Sequence, residues 1–121
     1  MSVVNFDEAS FKENIGKGLV LVDFWAPWCG PCRVFGPVFE RVAAKFPDVV
    51  FAKVNTEDER QLAGELDINA IPTLMVVKDG VLLFMEAGML PEKALLQLVE
   101  QAKAVDVSKA KKEAAAAETS A

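Results

Sequence analysis

The rhythm of apolar positions changes repeatedly along the chain, and each change marks an element. Leu19 to Ala26 is apolar throughout except for Asp23. A run of that length, rich in β-branched and aromatic residues, predicts a central strand covered on both faces. Val49 to Val54 predicts another strand, and Val3-Val4 a short first one. Thr73 to Val77 and Val81 to Met85 are β-rich runs separated by Lys78-Asp79-Gly80. Asp-Gly between apolar runs predicts a hairpin.

Helical rhythm fills the intervals. Asp7 to Ile15 reads as a helix, with Asp7 as N-cap and Gly16 as its stop. A second helix is predicted from about Cys29 to Phe46, kinked where Gly36-Pro37 falls in its middle. Asp58 to Leu66 predicts a short helix with Leu62 and Leu66 on one face. The last begins near Pro91, which suits a first helical position, and carries an apolar stripe of Leu95, Leu98, Val99 and Ala102. The order β-α-β-α-β-α-β-β-α predicts an α/β fold: a mixed sheet, parallel in its early βαβ units and antiparallel at the hairpin, with helices on both faces.

Residues 1–105 read as one domain without repeat or linker, while 106–121 turn rich in Ala, Lys and Glu, with no large apolar residue after Val107. That tail has helix propensity but no face to bury, so it reads as a frayed helical extension or a disordered tail. With 52% hydrophobic and 26% charged residues among 121, the domain can build a core without disulfide staples or a structural metal. The net charge is −5, with acids gathered in Glu57, Asp58, Glu59, Glu65 and Asp67. Nucleic-acid binders gather basic residues instead, so no nucleic-acid partner is expected and the acids read as a solvated surface. No apolar run approaches the ~20 residues that cross a bilayer, so no membrane partner is expected. Met1 to Asp7 lacks the basic start of a secretory signal, and the expected location is the cytoplasm.

The chain has two cysteines and no histidine. Cys-His and Ser-His catalysis, His metal sites and His proton shuttles are therefore excluded. Cys29-Gly30-Pro31-Cys32 follows a predicted strand and opens a predicted helix. A C-x-x-C can be half a zinc site, a redox pair or two inert thiols. Zinc needs four N or S ligands, so a metal would require two copies of the chain; no metal site is expected within one. Gly-Pro is turn chemistry, and Trp28 beside it suggests a surface, which speaks against inert buried thiols. Unpaired N–H groups and the dipole at a helix start favour an anion, so Cys29 is placed to be a stabilised thiolate. Cys32, one turn on and more buried, can close a small disulfide ring with it. Pro31 has no N–H to leave unpaired and stiffens the turn.

Val22-Asp23-Phe24-Trp25-Ala26-Pro27-Trp28-Cys29-Gly30-Pro31-Cys32 resembles the active-site segment of the thioredoxin family. The resemblance runs from about Phe6 to Val105 and includes Asp23, Pro37, Lys53, Ile71-Pro72-Thr73, Asp79-Gly80 and Gly88. It implies the thioredoxin fold, a central mixed five-stranded sheet flanked by four helices. It also implies a protein-disulfide reductase and electron carrier. Cys29 would attack a client disulfide and form a mixed disulfide; Cys32 would then attack Cys29, release the reduced client and leave a Cys29–Cys32 disulfide. Gly30 and Pro31 are the pairing of the reducing members. Thioredoxin reductase, a flavin protein drawing on NADPH, would recycle a monomer that binds no cofactor itself.

Further roles follow from the same resemblance. Asp23 interrupts an apolar strand, where burial raises a carboxyl pKa, and would accept the Cys32 proton through water. The alternative is an acid at a strand end that reaches solvent. Lys53 would tune Asp23, or would be an edge lysine reaching outward. A cis bond before Pro72 is implied, with the Ile71 backbone free to pair with an extended client. Trp28, Ile71, Pro72, Thr73, Ala87, Gly88 and Met89 would form the docking region, with ordinary loop packing as the alternative for Met89. The sequence departs from the family at Ala70, where glycine is frequent, at Gly36, which replaces a helix former, and at Glu86, an acid near the docking rim that is expected to face solvent.

Overall fold

In the computed structural model, which describes residues 2–108 and 110, nine elements alternate along the chain. They are β1 (Val3–Asn5), α1 (Glu8–Asn14), β2 (Leu19–Trp25), α2 (Gly30–Ala43), β3 (Val50–Asn55), α3 (Arg60–Glu65), β4 (Thr73–Lys78), β5 (Val81–Ala87) and α4 (Glu92–Ala104). The five strands form one sheet in the order β1-β3-β2-β4-β5. Pairing is parallel between β1, β3 and β2, and antiparallel from β2 to β4 and β4 to β5. The mixed sheet expected from the element order is the one observed.

Strand β2 is the spine, and its first six residues are buried. Successive side chains point to opposite faces of a strand. Leu19 and Leu21 join Phe51, Leu74 and Val76 beneath Phe35, Phe39 and Val42 of α2 and Leu95 and Val99 of α4. Val20, Val22 and Phe24 join Ala52, Val54, Met75 and Val77 beneath Phe11 of α1 and Leu62 of α3. Each fully buried side chain of this kind contributes roughly 1.5–3 kcal/mol. Parity then puts Asp23 and Trp25 on the α2 face, two and four residues after Leu21.

Several boundaries move from their expected places, each through a local hydrogen bond. Helix α2 starts after Cys29, which is its N-cap, and ends at Ala43 rather than Phe46. The amides of Lys45 and Phe46 turn back to the carbonyls of Val42 and Ala43, a tightening that leads into Pro47. Pro37 lies inside α2 without ending it. Helix α3 starts two residues later than expected, because Asn55 takes the amide hydrogens of Glu57, Asp58 and Glu59 into a turn. Pro91 is the extended N-cap of α4, one place ahead of its expected position inside the helix. Strand β5 runs on past Met85 because Glu86 and Ala87 still face Leu74 and Thr73 of β4.

The hairpin turns through Asp79 and Gly80, both at positive φ, as a tight two-residue connection demands. Asp79 fastens the turn to Gly18, its carboxylate accepting from the Gly18 amide at 2.8 Å. The two edges of the sheet are blunt. Strand β1 has three residues, and the register of β5 against β4 slips between Val76 and Val77. Val107 is buried, so packing continues beyond residue 105; of the expected tail, 109 and 111–121 lie outside the described residues.

The end of α4 is closed by a distant side chain. The Lys78 ammonium donates to the carbonyls of Ala102, Lys103 and Val105 at 3.0, 2.7 and 2.6 Å. A lysine there satisfies terminal carbonyls and complements the negative end of the helix dipole. Lys78→Met is expected to cost roughly 1–2 kcal/mol, seen as a lower urea midpoint with an unchanged slope.

Candidate active site

The chain leaves β2 at Trp25 and turns immediately into α2. The Cys29 amide donates to the Ala26 carbonyl at 3.1 Å, which closes the turn. Cys29 keeps an extended conformation as N-cap, and Pro31 stands in the first turn of the helix. The Cys29 sulfur accepts from the Cys32 amide at 3.2 Å, taking the place a capping oxygen normally fills. This is where the helix dipole and an unpaired N–H favour negative charge, so the position suits a thiolate. Cys29 and Cys32 are joined as a disulfide, with Cα atoms 5.2 Å apart. The expected contrast in burial between them is slight, at 4% and 3% exposure, because Ala26, Trp25 and Ile71 pack against the pair.

A second loop meets the turn. The Ile71–Pro72 peptide is cis, and the Ile71 carbonyl oxygen lies 3.7 Å from the Cys29 sulfur. The Thr73 hydroxyl donates to the Ala70 carbonyl, holding this loop closed on itself. The Gly88 amide donates to the Pro72 carbonyl at 2.7 Å and brings Ala87, Gly88 and Met89 alongside. Gly88 has a φ of 113°, which a side chain would strain. Of the expected docking residues, Trp28, Ala87, Gly88 and Met89 are exposed and Ile71 is half-buried. Pro72 and Thr73 are buried: Thr73 pairs with Ala87 of β5, and the Pro72 carbonyl accepts from the Gly88 amide, so both shape the loop.

Asp23 lies on the α2 face of β2, fully buried. Both its carboxylate oxygens lack a hydrogen-bond partner among the described residues. Burial pushes its pKa up to about 7, against the opposing pull of the Lys53 ammonium. The reading of Asp23 as a strand-end acid in solvent is therefore excluded. Lys53 faces Asp23 across the β2–β3 pairing. It sits on an inner strand, so it is not an edge lysine, and its ammonium lies 4.5 Å from the centre of the Trp25 ring. A groove of about 190 Å³ runs past Cys32, Gly36, Glu40 and Lys53. A methyl group on Gly36 would lie 3.6 Å from the Lys53 nitrogen, so the glycine leaves that ammonium open to the groove.

One neighbour of the site escaped sequence reasoning. Trp28 is 65% exposed, yet its indole N–H donates to Glu57 at 2.6 Å. Arg60 in turn donates to the other Glu57 oxygen at 2.9 Å. These two donors hold the Glu57 carboxyl below the usual range. The signal available was the β2–β3 register. Trp25 pairs with Asn55, so the residues just after each strand must be neighbours.

The Thioredoxin family model matches residues 2–101. The chain belongs to the thioredoxin family. It is 44% identical over 112 residues to a protein of Streptomyces coelicolor named putative thioredoxin 2, covering 92% of this chain and 84% of that one. It is 37% identical over 102 residues to Bacillus subtilis thioredoxin, covering 84% of this chain and 98% of the other. Among solved structures it is similar to Malassezia sympodialis thioredoxin (Mala s 13), with a TM-score of 0.74 and 34% identity, across 83% of this chain and 93% of that one. Family membership and the disulfide-bonded cysteine pair together make the protein a thiol–disulfide oxidoreductase that reduces protein disulfides. Among the described residues no helix is long and apolar enough to cross a membrane.

The raised Asp23 pKa has a consequence for stability. Between the ordinary carboxyl value, ~3.9, and the folded value of about 7, the folded chain binds more protons than the unfolded one. Stability therefore falls as pH rises through that window and levels off above it. Asp23→Asn removes the penalty. Its stability advantage in urea is expected to widen from pH 5 to pH 8 and to reach roughly 3–4 kcal/mol. A constant offset across that range would contradict the raised pKa.

Proposed function

We propose that Cys29 is the attacking sulfur, Cys32 the resolving sulfur and Asp23 the proton acceptor in reduction of client disulfides. The observation that carries this reading is the Cys29 sulfur at the start of α2, bonded to Cys32, with a buried carboxyl of raised pKa on the α2 face of the strand that leads into the turn. The Cys29 thiolate attacks one sulfur of the client disulfide, and the other leaves as a thiolate that takes a proton from water. Cys32 gives its proton towards Asp23 and attacks the Cys29 sulfur, expelling the second client thiolate. Two electrons pass to the client, and the protein is left with its own disulfide.

The groove that Cys32 shares with Lys53, the register partner of Asp23, has room for a water to carry that proton. Lys53 keeps the carboxyl pKa from climbing further, so that Asp23 exchanges protons near neutral pH. Gly30 and Pro31 hold the ring geometry. Trp28, Ile71, Ala87, Gly88 and Met89 receive the client, with main-chain bonding at Ile71 supplying sequence-tolerant affinity. The blunt sheet edges suit a monomer. A reducing couple of this kind belongs where thiols are kept reduced, as in the cytoplasm. Its regeneration requires a two-electron donor, and a flavin-containing thioredoxin reductase drawing on NADPH fits that need. The chain requires no cofactor of its own, and among the described residues no group of three or more Cys, Asp or Glu is placed to hold a metal.

Direction of transfer is tested by the midpoint potential of the Cys29–Cys32 couple. A value well below the roughly −180 mV of isomerase-type couples supports a reductant, and a value at or above it reverses the assignment. Residue roles are tested by substitution. Cys29→Ser is expected to abolish turnover. Cys32→Ser is expected to accumulate a mixed disulfide with the client, visible on non-reducing gels. Asp23→Asn should slow reduction by roughly 100-fold or more near neutral pH, as loss of a general base does; unchanged rates from pH 6 to 9 would remove Asp23 from the mechanism.

A further inference from the structure

Strand register sets a buried carboxyl beside a lysine, and yet the two do not pair. Asp23 of β2 stands opposite Lys53 of β3, and alternation puts both on the α2 face, two residues after Leu21 and Phe51. Among the described residues no ion pair joins them, and both Asp23 oxygens lack a hydrogen-bond partner. The Lys53 ammonium lies instead against Trp25, the next β2 residue on that face, 4.5 Å from the ring centre. A methyl group on Gly36 of α2 would touch the ammonium at 3.6 Å, a contact that the glycine does not make. The ammonium thus occupies a slot between an indole face and the bare backbone of α2, at the wall of the groove it shares with Cys32.

This arrangement runs against simple electrostatics. Opposite charges attract strongly where water screens them poorly, so a buried carboxylate favours pairing with an ammonium within reach. A full ion pair strips the ammonium of water, which offsets part of that gain. An indole face is the best aromatic partner for a cation, and it leaves the rest of the ammonium in the groove. Trp25 is costly as a packing residue, because its indole N–H is buried without an acceptor among the described residues. An aliphatic or phenyl side chain would fill the space without that cost.

We propose that Trp25 is a positioning residue: its ring holds the Lys53 ammonium off Asp23 and so keeps the carboxyl free to take the Cys32 proton. The proposal rests on the reading of Asp23 as the proton acceptor and adds the residue that preserves it as one. A carboxylate paired directly with an ammonium is a weak base. Held at a distance, the same ammonium tempers the effect of burial without cancelling it. Other charged or titratable groups border the slot. Cys32, Arg33 and Glu40 of α2 line the groove, and Asp7, Asp58 and Glu59 line a cavity of about 340 Å³ that Trp25 and Lys53 also border. None of these is ion-paired with Lys53 among the described residues, and the charge that pulls on Asp23 is that of Lys53. The β4 neighbour of Asp23 is Leu74, which carries no charge.

The test follows Asp23 by NMR titration of its carboxyl carbon in the full chain, in the disulfide form, where no cysteine titrates. Trp25→Leu is expected to lower the Asp23 midpoint by at least about one pH unit, the effect of an adjacent cation. Trp25→Phe, which keeps a weaker aromatic face, should lower it less. In a Lys53→Met background, Trp25→Leu should lose its downward effect. An unchanged or raised midpoint in Trp25→Leu overturns the proposal, and so does an equal fall in the Lys53→Met background. Should Trp25→Leu not fold, the wild type alone decides: the ring current of the indole should move the Lys53 ε-methylene protons upfield of ordinary lysine, and ordinary positions overturn the proposal. Both measurements read the slot without turnover, whereas the rate of Asp23→Asn reads the acceptor role, so failure of one is distinguished from failure of the other.

Discussion

The burial of β2 on both faces is the constraint on which the site depends. Its backbone is locked between β3 on one side and β4 on the other, and its side chains alternate between two separate cores. A strand held so completely ends at a fixed point and in a fixed direction. The turn that follows therefore delivers Cys29 to the start of α2 with little freedom, and α2 is held in turn by Phe35 and Phe39 against the same sheet. The same alternation puts Asp23 on the α2 face, where a leucine or valine would pack at lower cost. The carboxyl gives up stability in the spine, two residues before the strand ends and the cysteine turn begins.

The two flanks of the turn differ in physical character. On the β3 side the contacts are polar and directional: Trp28 to Glu57, Glu57 to Arg60, and Lys53 over Trp25. On the β5 side they are apolar and open, with Val34 and Met89 facing solvent. An indole fixed by a hydrogen bond keeps one geometry, whereas methionine adapts to many. A surface built this way can place the sulfurs accurately while accepting varied sequences.

Most of this architecture is legible in the chain. Periodicity gives every element, because β2 is a long apolar run and α4 a stripe of Leu95, Leu98, Val99 and Ala102, of which Leu98 is only half-buried. The Asp79-Gly80 turn is visible because only a few residue types accept positive φ. What periodicity cannot give is the exact end of an element, which is decided by single hydrogen bonds such as those of Asn55 before α3. Contacts between distant residues are also hidden. Nothing local in Lys78 announces that it closes α4, and nothing in Glu57 announces Trp28; both follow from strand order and register. The near-equal burial of the cysteines likewise depends on Ile71, which only the folded chain brings over them. The exposed Val34 reads from sequence as one more apolar position of α2, and only its outward placement makes it notable.

The blunt ends of the sheet bear on how such a protein survives in a crowded compartment. Strand β1 is too short to template a partner, and the slip in β5 breaks the straight row of amides and carbonyls that another chain could match. The margins are thus poor templates for a partner strand, and the proposed client contact falls instead to the loop beside the cysteines, at Ile71. A molecule that must meet partly unfolded polypeptides, with their own exposed strands, gains selectivity of place from this arrangement. Edges that cannot pair with such strands keep the sheet from growing into them.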